Sequence, residues 1–325
     1  MYTRSSPFCQ QSVEIMRILL ALPLLVVLVV AYPFGIEEVG DKIVVAEEYY
    51  PERLVIYEGE YDIVDIMVPL NRASMYNNFE DSANSELSHL KEHLMVFFIE
   101  ADVKQDHRED HGIYMYRDGK VTKIMEKGRA VAASADESEY VFFGAKDGLY
   151  VYNPATQKAD KYGQFNDSVK DIAKEQNTDV IYILTDDREL YKVYDAATNT
   201  EKVDDIKDVE QIMLDYSNNL YYYGKNNQIN VRTADGETKK INGLPEEAKE
   251  VKLLRPPILN NEGVGVMVDS EVYTVYADGK SESENLEFMP EAKPTAYSME
   301  AGIYRYFGYQ KKIYEYDLVS MIDSS

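Results

Sequence analysis

Cysteine and tryptophan are almost missing from this chain of 325 residues: Cys9 is the single thiol and there is no tryptophan. One thiol excludes an intrachain disulfide, and so excludes the stapled frameworks on which small extracellular domains depend. Cysteine redox pairs are excluded with it, and neither a Gly-rich phosphate loop nor a G-x-S-x-G serine elbow occurs in the chain. Positive charge is also scarce. Lys and Arg number 34 against 58 Asp and Glu, a formal charge of −24, which repels nucleic acid and anionic membranes and favours solubility. Long apolar runs are confined to one place, Ile18 to Val30. That stretch is short for a membrane helix, which needs about 20 apolar residues.

With Arg17 before it and Val29-Val30-Ala31 at its end, the run has the layout of a secretory signal peptide. Met16 stands where such a peptide would start, so Met1 to Ile15 reads as an upstream extension. Residues 1–31 are therefore set aside. A secreted, extracellular chain of about 294 residues is expected from Tyr32 onward, with 57 acidic against 32 basic side chains. Such a length buries a full core without disulfides. It is long for one globule unless the architecture is repetitive.

What the chain has in abundance is tyrosine, 28 residues, and the tyrosines recur in a phrase. It reads Ile113-Tyr114-Met115-Tyr116, Leu149-Tyr150-Val151-Tyr152, Leu190-Tyr191-Lys192-Val193-Tyr194, Val272-Tyr273-Thr274-Val275-Tyr276 and Ile313-Tyr314-Glu315-Tyr316, with Ile229-Asn230-Val231-Arg232 as a weaker copy. The anchors Tyr114, Tyr150, Tyr191, Asn230, Tyr273 and Tyr314 lie 36, 41, 39, 43 and 41 residues apart by subtraction. A period near 40 with four short strands per unit is that of a propeller blade. In the third unit the strands are expected at Val169–Ala173, Val180–Leu184, Leu190–Tyr194 and Lys202–Ile206, and turn residues such as Asp186-Asp187, Lys146-Asp147-Gly148 and Asp278-Gly279 fall between strands. The fold class expected is all-β, a six-bladed β-propeller of four-stranded blades filling residues 32–325.

Two irregularities qualify the pattern. The last unit has room for three strands only (Thr295–Met299, Gly302–Tyr306, Lys312–Tyr316), so its outermost strand is expected from Lys42–Glu47 or Leu54–Tyr57 near the N-terminus, which would lock the ring and cover its edges. The first unit carries an insertion at about residues 71–93, in which Ser82 to His93 reads as a short helix.

All four histidines lie in or near that insertion. His89-Leu90-Lys91-Glu92-His93 has an H-x-x-E-H spacing, which on a helix brings two imidazoles to one face and within reach of one zinc ion. His107 and His111 repeat the i, i+4 spacing on an expected turn. The bland reading, a solvated loop with no metal, is preferred, and no cofactor is called for. Asn166-Asp167-Ser168 is a glycosylation sequon on a loop between units. Half-buried strand packing accounts for most tyrosines. Tyr76 and Tyr297, with Arg72, Arg129 and Arg255 near strand or loop starts, are the candidates for lining the central channel and binding a ligand.

The phrase Ala145-Lys146-Asp147-Gly148-Leu149-Tyr150-Val151-Tyr152, followed by Ala155-Thr156 and Lys158-Ala159, resembles a blade of the insect (lepidopteran) ommochrome-binding proteins, as does Asn166-Asp167-Ser168-Val169 leading into an inner strand. The plan of a signal peptide followed by Tyr- and Asp-rich repeats is similar too. The resemblance implies a haemolymph protein that carries ommochrome pigments, small planar aromatic compounds, without catalysing a reaction. Two other readings stay open. One is a divergent metal-dependent lactonase or esterase, although the E-G-P-x-W phrase of the propeller lactonases is absent. The other is an extracellular protein-interaction or structural propeller.

Overall fold

The structure is a computed structural model and describes residues 35–70, 94–104, 107–136, 138, 140–257, 262–300 and 304–317. The apolar segment before residue 32 and the insertion at 71–93, with its expected helix and with Arg72, Tyr76, His89 and His93, lie outside the described residues.

Six antiparallel blades form a ring. Blade 1 is built from Asp62–Met67, Val96–Lys104, His107–Arg117 and Lys120–Met125, and blade 2 from Gly128–Ala133, Val141–Ala145, Gly148–Asn153 and Lys158–Lys161. Blade 3 uses Val169–Lys174, Ile181–Thr185, Leu190–Tyr194 and Asn199–Lys202; blade 4 uses Val209–Leu214, Leu220–Gly224, Ile229–Arg232 and Thr238–Lys240. Val251–Leu254, Val264–Val268, Glu271–Val275 and Ser281–Phe288 make blade 5. Blade 6 contains Ala296–Ser298, Tyr304–Tyr309 and Lys312–Asp317, and its fourth strand is Val55–Glu58.

Burial changes across each blade in the way the residue types dictate. Second strands packed on both faces by neighbouring blades are buried along their length: every residue of Val141–Ala145, Val264–Val268 and Tyr304–Tyr309 is buried, whereas Leu220–Gly224 of blade 4 is half-buried over its last three residues. Outermost strands face water, and Asn199–Lys202 is exposed throughout. That strand corrects the sequence expectation of Lys202–Ile206, for a fully solvated strand carries no apolar alternation to mark it. His107 and His111 are corrected as well. They lie on the long third strand of blade 1 and not on a turn, because the hairpin of blade 1 continues pairing as far as Lys104 and His107.

The turn at Lys146-Asp147 shows why its glycine is needed. Gly148 sits at φ +124, and a Cβ there would stand 2.0 Å from the Phe165 carbonyl oxygen, so only glycine fits.

Both N-terminal segments take part in closure. Lys312 pairs with Glu58 and Ile313 with Tyr57, antiparallel, completing blade 6. Lys42–Val45 adds in parallel to the outer strand of blade 5, Ile43 opposite Leu286, and Ile36–Val39 folds back on it, so blade 5 becomes a six-stranded sheet. Between these segments Tyr49 and Tyr50 enter the core: Tyr49 stacks on Tyr316 at 4.9 Å and Tyr50 on Tyr309 at 4.2 Å. The Tyr50 hydroxyl donates to the Ala292 carbonyl and that of Tyr316 to the Tyr49 carbonyl.

Candidate functional site

The inner strands of blades 1 to 4 each carry one unmatched residue near the start: Val64, Arg129, Lys170 and Glu210. A bulge of this kind bends the strand and re-aims the extra side chain. With Lys252 from blade 5 and Tyr297 from blade 6, these residues give every blade one side chain on a cavity of about 290 Å³ at one mouth of the central channel.

Most charges there are paired between neighbouring elements. Arg129 donates to the Asp186 carboxylate at 2.8 and 2.9 Å, and its Nε lies 3.4 Å from Asp110. Arg108 holds the other oxygen of Asp110 at 2.6 Å. Lys170 and Arg188 share Glu210 at 2.6 and 2.7 Å. Asp171 accepts from the backbone N–H groups of Ile172 and Ile212, and burial pushes its carboxyl up to about 6. Lys252 donates to the Thr295 carbonyl of blade 6, and burial brings its amine down to about 8.

Arg255 crosses the channel. From the end of the blade 5 inner strand its guanidinium grips Asp65 of blade 1 at 2.6 and 3.1 Å, and donates to the carbonyls of Ile66 at 2.9 Å and of Val131 in blade 2 at 2.7 Å. It lines both the charged mouth and a tighter space of about 50 Å³ at the opposite end of the inner strands. There Glu300, 3.7 Å from the Arg255 Nε, accepts from the Val68 N–H and the Ser298 hydroxyl, both at 2.8 Å. Burial nevertheless lifts the Glu300 carboxyl to about 7, against the opposing pull of Arg255 and these hydrogen bonds. Lys174, at the same end, gives its protons to the carbonyls of Glu175 and Thr178.

The raised Glu300 value has a defined sign. Between pH 4.5 and about 7 the folded state holds a proton at Glu300 that the unfolded state has released, so this group's contribution to stability falls as pH rises through that window. Glu300→Gln is expected to flatten the decline, by about 2–3 kcal/mol between pH 5 and 8, because each pH unit from 5 to about 7 carries about 1.36 kcal/mol. Urea unfolding of both proteins at the two pH values checks this, and parallel pH profiles would contradict it.

Of the residues singled out from sequence, Arg129, Arg255 and Tyr297 meet at the charged mouth. The Tyr297 ring is stacked on Phe307 at 4.5 Å, and its hydroxyl accepts from Arg305. Asn166 is exposed between blades 2 and 3. His111 lies against Tyr61, ring centroids 3.5 Å apart, and its Nε2 is buried with no hydrogen-bond partner among the described residues. Among the described residues no group of three or more His, Cys, Asp or Glu is placed to hold a metal ion. Lys252, Lys170, Glu210 and Asp171 escaped sequence reasoning. A signal for three of them existed: Arg129, Lys170, Glu210 and Lys252 precede their blade anchors Tyr150, Tyr191, Asn230 and Tyr273 by 21, 21, 20 and 21 residues.

The geometry defines a β-propeller with a closed ring and an open, charged channel mouth. No protein-family model matches the chain, and no curated protein matches it. Solved structures do. The RRP9 WD40 repeats superpose with a TM-score of 0.54 at 9% identity, covering 81% of this chain and 96% of theirs. U3-55K gives 0.53 at 9% identity over 81% and 98%. A virginiamycin B lyase from Staphylococcus aureus, solved with quinupristin, gives 0.50 at 16% identity over 81% and 87%. At these identities the likeness shows the β-propeller fold alone, and the six blades are counted from the sheets of this chain.

Proposed function

We propose that the protein is a secreted, non-catalytic carrier that holds a small planar aromatic metabolite at the charged channel mouth, with an ommochrome-type pigment as the ligand that the family resemblance implies. The observation that carries this reading is the cavity itself. Its volume of about 290 Å³ is just under the ~300 Å³ at which small-molecule pockets begin. Tyr223 and Tyr297 supply aromatic lining, and Arg129, Lys170 and Lys252 supply oriented donors. Rings give area for stacking, and the polar groups fix orientation.

Titration of the purified protein with an ommochrome tests the proposal. A saturable change in the visible spectrum at one pigment per chain, reversed on unfolding, is expected. A spectrum that stays the sum of its parts, with a second polypeptide co-purifying instead, would point to an interaction module.

A further inference from the structure

Lys252 differs from the other cations at the mouth. Arg108, Arg129, Lys170, Arg188 and Arg255 each have a carboxylate within 4.0 Å. Lys252 has none among the described residues; its one acceptor is the Thr295 carbonyl. An ammonium group carries three donors, so two directions of this head group lack a protein acceptor. The residue keeps some surface toward the cavity it lines. Lys174, the comparable lysine at the other end, is buried and satisfied by two carbonyls.

The neighbouring carboxylates are already engaged. Asp65 on blade 1 is held by Arg255, Glu250 before the Lys252 strand is held by Lys293 at 2.6 Å, and Glu210 on blade 4 is shared by two cations. Asp171 on blade 3 is bonded to two backbone N–H groups. Burial is the largest influence on the Lys252 amine; among the charges, Asp65 and Glu250 favour its protonated form, while Arg108 on blade 1 and Arg255 add positive potential against it. A partly desolvated ammonium in such a setting gains from an incoming anion, because charge-assisted hydrogen bonds are shorter and stronger than neutral ones.

We infer that Lys252 is an anion subsite of the channel mouth, taking the carboxylate of a ligand whose apolar body lies against the tyrosine lining. The assignment deepens the carrier reading and rests on it for the aromatic part only. The anion bonds to the protonated amine, so its affinity falls as pH rises through the amine's value near 8.

The test uses 2-naphthoate and its neutral counterpart 2-naphthamide with the full chain, K252M and K252R. Naphthoate is expected to bind at least tenfold more tightly than naphthamide at pH 7. K252M should erase that preference and K252R should keep part of it, with melting temperatures reporting that each variant is folded. A second readout is independent of the aromatic ring. The protein is produced with lysine carrying 13C at Cε, the Lys252 signal is assigned by its loss in K252M, and it is followed on adding sodium acetate against matched sodium chloride. A saturable acetate-specific shift supports the subsite, even if neither naphthyl probe binds and the carrier reading fails. Equal affinity for both probes, a preference that survives in K252M, or a Lys252 signal indifferent to acetate overturns the subsite. Naphthamide binding in any of those cases leaves the carrier reading in place.

Discussion

Replacing Arg255 by methionine is expected to destabilise the folded protein by about 3–5 kcal/mol, the usual cost of breaking a buried pair by removing one partner. The guanidinium is 13% exposed and its Asp65 partner 28%, so solvent offers only modest relief. Methionine keeps much of the volume, but it leaves the Asp65 carboxylate unpaired and the Ile66 and Val131 carbonyls without the donors they now have. Lysine is also expected to fail in part, because a point charge cannot replace a planar fork that reaches four acceptor positions at once. Urea unfolding provides the measurement. If Arg255→Met costs less than about 1 kcal/mol, a typical surface-pair value, the cross-channel clamp is not a stabilising element. Adding Asp65→Asn to Arg255→Met should cost less than the sum of the single changes, because the residues touch.

The second large effect is expected at the latch. Truncating Tyr49 and Tyr50 to alanine removes two rings that are 3% and 7% exposed and that stack on Tyr316 and Tyr309. Large aromatic truncations in a core cost about 3–5 kcal/mol each, and adjacent sites are not additive. The double variant is therefore expected to lose at least as much as the larger single change. It would do so through one seam, since Tyr49 also packs edge-on to Phe307 of blade 6 while the chain on either side of the pair joins blades 5 and 6. Hydrogen exchange should show the amides of Lys312–Asp317 losing protection before those of blades 2 to 4. Uniform loss over all six blades would show that the seam has no separate stability, and an unchanged exchange profile would show that the tyrosines do not hold it.

The blade period was legible because the anchor tyrosine has a local role that repeats. Tyr150 donates its hydroxyl to Asp147 at 2.8 Å and lies beneath Lys161, 4.9 Å from the ring centre. Tyr191 does the same with Glu189 at 2.8 Å and with Lys202. Tyr114 faces Lys123 on the adjacent strand. These contacts join a third strand to its own turn and to its own fourth strand, so each is written within about a dozen residues of sequence. Six blades and an N-terminal contribution to the last one followed from that pattern, and the structure has both.

The channel was less legible. Its mouth gathers residues that lie about 40 apart in the chain, and their meaning depends on the ring bringing them together. Arg255 was chosen from sequence as a ligand contact. In the structure its guanidinium is engaged by Asp65, Ile66 and Val131, partners that lie more than 120 residues away. Lys252 resembled any other lysine on an alternating strand until the pairing of its neighbours left it with a single acceptor. Outer strands such as Asn199–Lys202 could not be placed by alternation because neither face is buried.

The order in which the chain is made gives the latch one further consequence. Glu58 pairs with Lys312, 254 residues later, so the early strand has no native partner until nearly all six blades have left the ribosome. Blades 2 to 4 are each continuous in sequence and can form in turn, whereas ring closure waits for the last of them. Joining contacts so far apart pays a loop-closure entropy, and topologies of this kind fold slowly. During that interval the apolar side chains of Val55–Tyr57 and the rings of Tyr49 and Tyr50 wait for their native partners on blade 6, which leaves this short segment the last to be buried.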